Sequence, residues 1–405
     1  MPDARSRRRF RSWLGRFRAS AGARVAVALC AGTVALAVAP GLGTAPGAHA
    51  AAPVAPPGLQ RALDDVVSDG KATAALAELD ESGATTWRGT SGVSDLATRA
   101  PVRADGRFRA GSVLKPFVAT VLLQLVAEGR LGLDDPVDRH LPAAVEVPAG
   151  DVITVRQLLN HTGGLYEYLD DARFDHTEAE IPHWLAVERW QHHSPRDLVA
   201  IAVGHPPYSR PGEGFHYSNT DYVLAGLVVE KVTGHPYADE ITRRILRPLG
   251  LTHTSLPGDN PFIPGPHTHA YLKLSTGHVD ITEINPTVYG AAGSLISTAA
   301  DLDRFHAALL GGRLLRPAEQ AALLRTVDTG SPTQAYGLGL TRLRTPCEPL
   351  WGHSGEAAGF QTLLVGTADG RRQVTLSYTP YDPAGSEALE RAVLAFATKA
   401  VCGSA

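Results

Sequence analysis

Apolar positions Val113, Leu114, Phe117, Val118, Val121, Leu122 and Leu125 recur at steps of three and four, which is helical spacing, and the run stops at Gly129. Apolar residues fill nearly every side of that helix, so the pattern predicts one buried all round. Upstream, "LQRALDDVVSDG" reads as a helix stopped at Gly70, and "KATAALAELD" and "GATTWRGTSGVSD" as two strands joined by a tight turn at Asp80 to Gly83. The middle of the chain is helical and rich in loops. "TVRQLLN" opens on a Thr154–Gln157 capping box, and "SPRDLVAIAV" has Ser194 as N-cap and Pro195 in the first turn. "TDYVLAGLVVEKVTG" and "ADEITRRILRPLG" each end at glycine, and "STAADLDRFHAALLGG" closes on Gly311. The last third returns to strands: "YGLGLTRLR", then "FQTLLVGTADGRRQVTLSY" as a hairpin turning at Asp369-Gly370, before a closing helix "SEALERAVLAFATKAV".

Strands at both ends with helices between them predict an α+β (mixed α/β) chain. Its antiparallel sheet is built from N- and C-terminal segments, flanked by helices, with a mostly helical subdomain inserted. The α/β part is expected over about residues 58–115 and 290–405 and the insertion over about 116–289, all within one domain spanning 51–405.

Composition first removes the N-terminus from fold reasoning. Residues 1–50 pair an arginine-rich start with the apolar stretch "VAVALCAGTVALAVAP" and a small-x-small site at Ala48-His49-Ala50, the layout of a signal peptide. "SRRRF" points to twin-arginine export, with the Sec route as the alternative, and either makes the protein secreted. That segment carries eight Arg and one Asp, so a chain of net charge −3 becomes −10 beyond it, a poor nucleic-acid binder. Cys30 lies in the apolar stretch. Cys347 and Cys402 remain, and an even pair in an exported chain reads as a disulfide, with two separate thiols the alternative.

Lysine is scarce: five against 33 arginines. Where charge alone is needed this chain uses Arg, so a lysine inside an apolar helix points to a need for a neutral amine, which Arg cannot supply. That lysine is Lys115, three residues after Ser112, and residues so spaced on a helix meet. Burial and a helix N-terminus both disfavour charge on Lys115, leaving it able to take the Ser112 proton. Ser68 and Lys71 share the spacing but straddle a helix stop, and are read as coincidence.

Two further stretches carry candidate chemistry. In "FHYSNTDY", Tyr217 is placed to pass a proton to a leaving group, while Asn219 either caps the helix or reaches a substrate amide or Lys115. In "LWGHSGEAAGF", His353-Ser354-Gly355 precedes a strand, and Gly355 lets backbone approach a ligand closely. "QHHS" and "HTH" lack an acidic ligand at a metal-binding spacing, so no metal is expected.

Ser112-Val-Leu-Lys115, Tyr217-Ser-Asn219 and His353-Ser-Gly355, in that order, resemble the three motifs of the penicillin-recognising serine hydrolases, the serine β-lactamase and D-alanyl-D-alanine carboxypeptidase superfamily. The Tyr and His versions, with "ITVRQLLNHTGGL" and "YGLGL", resemble its class C β-lactamase branch, from about residue 58 to the end. The resemblance implies a β-lactamase/transpeptidase-like fold and an acyl-serine mechanism without cofactor. Ser112 is then the nucleophile and Lys115 or Tyr217 its base. His353 lines the pocket, and the N–H groups of Ser112 and Glu356 form the oxyanion hole. Asn219, Ser354, Gly355, Glu356, Phe174 and Thr341 are the candidate substrate contacts, with Tyr166 and Tyr336 as further pocket aromatics and His161 as a fold-supporting residue.

The expected activity is a D-alanyl-D-alanine carboxypeptidase acting on cell-wall peptides and acylated by β-lactams, working as a monomer peripheral to the wall. An esterase, a β-lactamase and a non-catalytic binder are the alternatives. Two positions depart from the carboxypeptidases, which hold a substrate carboxylate with Arg and Thr where this chain has Thr341 and Glu356. Arg342 is adjacent, but neighbours in a strand face opposite ways.

Overall fold

The computed structural model describes residues 56–141, 152–381 and 386–403. The N-terminal segment read as a signal peptide lies outside the described residues. The main sheet is antiparallel, with strands β1 (Ala72–Glu81), β2 (Ala84–Gly92), β3 (Val327–Asp328), β4 (Gln334–Tyr336), β5 (Thr341–Leu343), β6 (Leu350–Ala357), β7 (Phe360–Thr367) and β8 (Arg372–Pro380). Their spatial order is β2-β1-β8-β7-β6-β5-β4-β3, so the N-terminal hairpin joins the C-terminal strands through β1 against β8, with Ala77 opposite Leu376. The α+β architecture expected from the hydrophobic pattern is the one observed.

Both faces of the sheet are covered, which is why β1 reads as a near-continuous apolar run. Helices α1 (Leu59–Val67) and α6 (Ser386–Cys402) cover one face, with Leu63 and Phe396 packed on Ala75, Ala77 and Leu376. The other face supports α2 (Leu114–Ala127) and α5 (Ala299–Leu310), whose Phe117 and Phe305 rings stack with centroids 3.5 Å apart. Between these lie α3 (Val155–Leu159), closed by the expected Thr154–Gln157 capping box, and α4 (Asn219–Thr233), which ends at Gly234 in the left-handed region. A Cys347–Cys402 disulfide ties the segment before β6 to the end of α6, with Cα atoms 5.6 Å apart.

Three local expectations need correction. His353-Ser354-Gly355 do not precede a strand but lie within one, β6. "YGLGLTRLR" is not one strand: Tyr336 ends β4, Gly339 takes φ 81°, and β5 starts at Thr341. Alternating glycine imitates strand periodicity, but here it makes a corner. Ser68 and Lys71 do meet, at 2.9 Å, but Lys71 Nζ also faces the Asp69 carboxylate at 3.6 Å at the protein surface. Ser68 is exposed and the pair lies in the turn after α1, not in a buried helix, so it is no counterpart of Ser112 and Lys115.

Candidate active site

Ser112 sits in a single 3-10 turn, Gly111–Val113, that runs straight into α2. As a residue that opens a helix, it has an N–H with no acceptor inside the turn. Across from it runs β6, and two glycines let the backbones touch. A methyl on Gly355 would lie 1.9 Å from Ala110 O and 3.1 Å from Ser112 N, and one on Gly111 would lie 2.5 Å from Glu356 N. The N–H groups of Ser112 and Glu356 are therefore carried on backbone segments in direct contact, which makes them the candidate oxyanion donors.

Lys115 is fully buried. Its Nζ lies 2.9 Å from Ser112 Oγ, 2.7 Å from Asn219 Oδ1 and 2.9 Å from Ala292 O. The amide and peptide oxygens can only accept, and a neutral amine has two N–H donors and one lone pair. If Lys115 is neutral, both N–H groups are used on these oxygens and the lone pair is left facing the Ser112 hydroxyl. Burial lowers the Lys115 pKa to about 7, against the opposing pull of the Glu167 and Asp221 carboxyls.

Tyr217 precedes α4. Its ring centroid is 4.9 Å from Lys115 Nζ, which sets the phenol beside the Ser112–Lys115 pair. Burial of the phenol pushes its pKa up, an effect softened because 38% of the residue reaches solvent at the rim. Ser218, not Asn219, caps α4, accepting from Thr220 N–H, so the Asn219 amide is free to hold Lys115.

His353 is buried on β6 with its ring centroid 6.2 Å from that of Tyr217. Its Nδ1–H donates to Ser354 O, so Nε2 accepts from the Tyr336 hydroxyl at 2.8 Å. Burial, then the nearby Lys115, push its pKa down to about 3. His353 therefore contributes a neutral ring and no positive charge.

Ser354 and Glu356 are half-buried neighbours along the same strand. The Glu356 carboxyl has no hydrogen-bond or ion-pair partner among the described residues, and burial pushes it up to about 8. Thr341 is half-buried opposite Gly352 and Tyr336, while Arg342 is exposed, as strand alternation requires. Phe174 packs on Tyr168 and His193 instead of joining the Ser112–Lys115 group, and Tyr166 stacks on His205.

Glu167 and Asp221 escaped the sequence reading, and His161 and Tyr336 entered it without the partners they have here. Glu167 is buried and accepts from Asn219 N–H at 2.7 Å and Leu169 N–H at 3.0 Å; burial raises its pKa despite these bonds. Asp221 and His161 form a fully buried pair, Oδ2 to Nδ1 2.9 Å, behind Tyr217. Tyr336 reached the sequence reading only as a pocket aromatic; its hydroxyl fixes the His353 tautomer.

A serine in contact with a buried lysine of lowered pKa, beside a phenol and two backbone N–H groups, is the arrangement of a serine hydrolase. Residues 19–398 match the Beta-lactamase family, and the chain belongs to it, in the class C-like branch of the serine β-lactamase and penicillin-binding protein superfamily. It is 30% identical over 315 residues to penicillin-binding protein 4* of Bacillus subtilis, covering 74% of this chain and 66% of the relative. Over 197 residues it is 32% identical to esterase EstB of Burkholderia gladioli, covering 48% of this chain and 49% of the esterase. The chain thus spans from about half to just under two thirds of these two relatives. Among solved structures, a D-stereospecific amidohydrolase from Streptomyces sp. superposes with TM-score 0.75 at 39% identity, covering 86% of this chain and 98% of the other. The D-amino acid amidase of Ochrobactrum anthropi SV3 does so with TM-score 0.71 at 26% identity, covering 84% and 98%. The fold is that of the β-lactamases and transpeptidases.

Proposed function

We propose that this protein is an exported acyl-serine hydrolase that opens amide bonds next to D-configured residues in small substrates. The observation that carries the reading is the triple contact of Lys115 Nζ, which leaves a lone pair for the Ser112 proton. In the proposed reaction Ser112 Oγ attacks the carbonyl carbon as its proton passes to Lys115. The oxyanion is met by the N–H groups of Ser112 and Glu356. The proton then reaches the leaving nitrogen through Tyr217, the C–N bond breaks, and an ester to Ser112 remains. Water opens that ester by the same steps reversed, its proton returning to Ser112.

Two members of this class compete. The D-alanyl-D-alanine carboxypeptidase reaction, with acylation by β-lactams, is supported by the penicillin-binding relative. Cleavage of D-amino acid amides is supported by the two amidohydrolase structures and by Glu356, whose unpartnered carboxyl offers a carboxylate-ended leaving group no positive charge and repels it once ionised. We favour the second. Export is supported by the Cys347–Cys402 disulfide, which persists in oxidising compartments.

The test incubates the protein with a fluorescent penicillin and reads the adduct by intact mass. It then compares turnover of a D-amino acid amide, a D-Ala-D-Ala peptide and a short-chain ester. A covalent adduct that disappears in Ser112→Ala, with the amide turned over fastest, is expected. An adduct surviving that substitution sinks the mechanism, and a faster D-Ala-D-Ala peptide would overturn the preference for amides.

A further inference from the structure

Asp221 and His161 play no part in the reaction as proposed, yet they lie directly behind it. Both are fully buried, and Asp221 Oδ2 sits 2.9 Å from His161 Nδ1. The same Nδ1 receives the Ser218 backbone N–H at 3.3 Å. A backbone N–H can only donate, so Nδ1 presents its one lone pair, shared between a long contact from Ser218 N–H and a shorter one from Asp221, and the proton between Nδ1 and Oδ2 belongs to the acid. Asp221 Oδ1 has no partner among the described residues. An ionised carboxylate there would leave charge on a buried oxygen with no donor among the described residues, an expensive arrangement. His161 Nε2 also lacks a partner and is ringed by aromatic residues: the Tyr217 and Tyr336 centroids lie 4.3 and 4.9 Å from the imidazole centroid.

We infer that Asp221 is held as a neutral acid that donates its proton to His161 Nδ1, making the two a positioning unit that braces Tyr217 without adding negative charge near Lys115. The charged or titratable groups around Asp221 are Lys115 on α2, Glu167 in the loop after α3, His161, and the phenols of Tyr217, Tyr222 and Tyr336. A second carboxylate charge among them would hold the proton on Lys115 and block its use as a base. Burial and repulsion by Glu167 raise the Asp221 pKa, and burial lowers that of His161, which agrees with a neutral pair. His161 holds its ring in place from a backbone at φ 59°, in the left-handed region that few residues other than glycine adopt. The inference rests on the proposed function only for the role of Lys115.

Nitrogen NMR on histidine-labelled protein reads the pair directly. A His161 signal of the Nε2–H tautomer is expected, and a protonated Nδ1 would overturn the assignment. This readout needs no turnover, so it stands even if the protein proves not to be a hydrolase. In kinetics, Asp221→Ala should lower kcat at least tenfold with little change in KM. Asp221→Asn, which keeps a donor toward Nδ1, should recover most of that loss and leave the acid limb of the pH–rate profile in place. If Asn instead shifts that limb down by about one unit or more, Asp221 was ionised and the inference is wrong. Thermal unfolding of both variants separates loss of fold from loss of positioning.

Discussion

Asn219 Oδ1 accepts from Lys115 Nζ at 2.7 Å, across 104 residues of chain. The contact exists because Ser218 takes the capping role at the head of α4, and because Glu167 fixes the Asn219 backbone N–H. An amide oxygen orients the amine without charging it. Asn219→Asp should keep the shape while placing a carboxylate on Lys115, which favours the ammonium form. The expected result is a fall in kcat/KM at pH 7 of about fivefold or more, recovered at higher pH as the limb moves up by about one unit or more. A pH–rate profile checks it.

The titration of Lys115 sets the pH dependence. Its pKa is lowered to about 7 by burial, and acylation needs the neutral amine, so kcat/KM should rise with pH through that value. Stability carries the same signature. The folded pKa lies below the ordinary lysine value of 10.5, so between about 7 and 10.5 the unfolded chain binds more protons and this group makes stability rise with pH. Glu167 is shifted upward, from 4.5 to about 7, so over that window the folded chain binds more protons and stability falls as pH rises. Together they predict a dip near neutrality. Lys115→Met should remove the rise above pH 7 in denaturant unfolding and abolish turnover; a rise that persisted would mean Lys115 does not titrate there.

These two groups mark how far the sequence could be read. Ser112 and Lys115 were legible because helical spacing forces a meeting three residues apart, and Tyr217 and His353 because their motifs fall in order. Glu167 was not, since a carboxylate in a loop is ordinarily solvated, and nothing local announces that α4 will cover it. Asp221 reads as an acidic residue in the first turn of a helix, where it suits the dipole. The missed signal was that the nine residues after it, from Tyr222 to Glu230, include only one charge, marking a buried helix in which an acid needs a partner. The corner at Gly339 was hidden for the opposite reason: glycines between apolar residues keep a strand's alternation while permitting a bend.

Gly355 tests the contact between β6 and the turn that carries Ser112. In Gly355→Ala the new methyl would sit 1.9 Å from Ala110 O, and both sides of that clash are backbone, so the strand must move away. Separating the Glu356 and Ser112 N–H groups should lower kcat by about 10²–10³, the loss typical of a misplaced oxyanion donor. The strain should cost about 1–3 kcal/mol in unfolding. Penicillin acylation should slow in parallel with turnover, because both need the same oxyanion. Turnover within a factor of about two of the parent would show that these donors are not the hole.

Glu356 should decide which substrates are turned over. Its carboxyl is half-buried on β6, unpartnered among the described residues, and pushed up to about 8 by burial alone. Near neutrality it is mostly protonated and tolerates an uncharged leaving group; above pH 8 it becomes an anion in the cleft. A substrate whose leaving group ends in a carboxylate then meets repulsion that an amide or ester does not. For a D-Ala-D-Ala peptide, kcat/KM should therefore decline above pH 8 while that for a D-amino acid amide holds. Glu356→Thr replaces the acid with a hydroxyl that can donate, and should raise the peptide-to-amide ratio of kcat/KM by about tenfold at pH 8, equivalent to ~1.4 kcal/mol. Most of the gain should appear in KM, since the group acts on a remote charge and not on the reacting bond. A ratio that stays fixed in Glu356→Thr, or a peptide rate indifferent to pH, would place the carboxyl outside the path of the substrate and return selectivity to Thr341 and the rim around Tyr217.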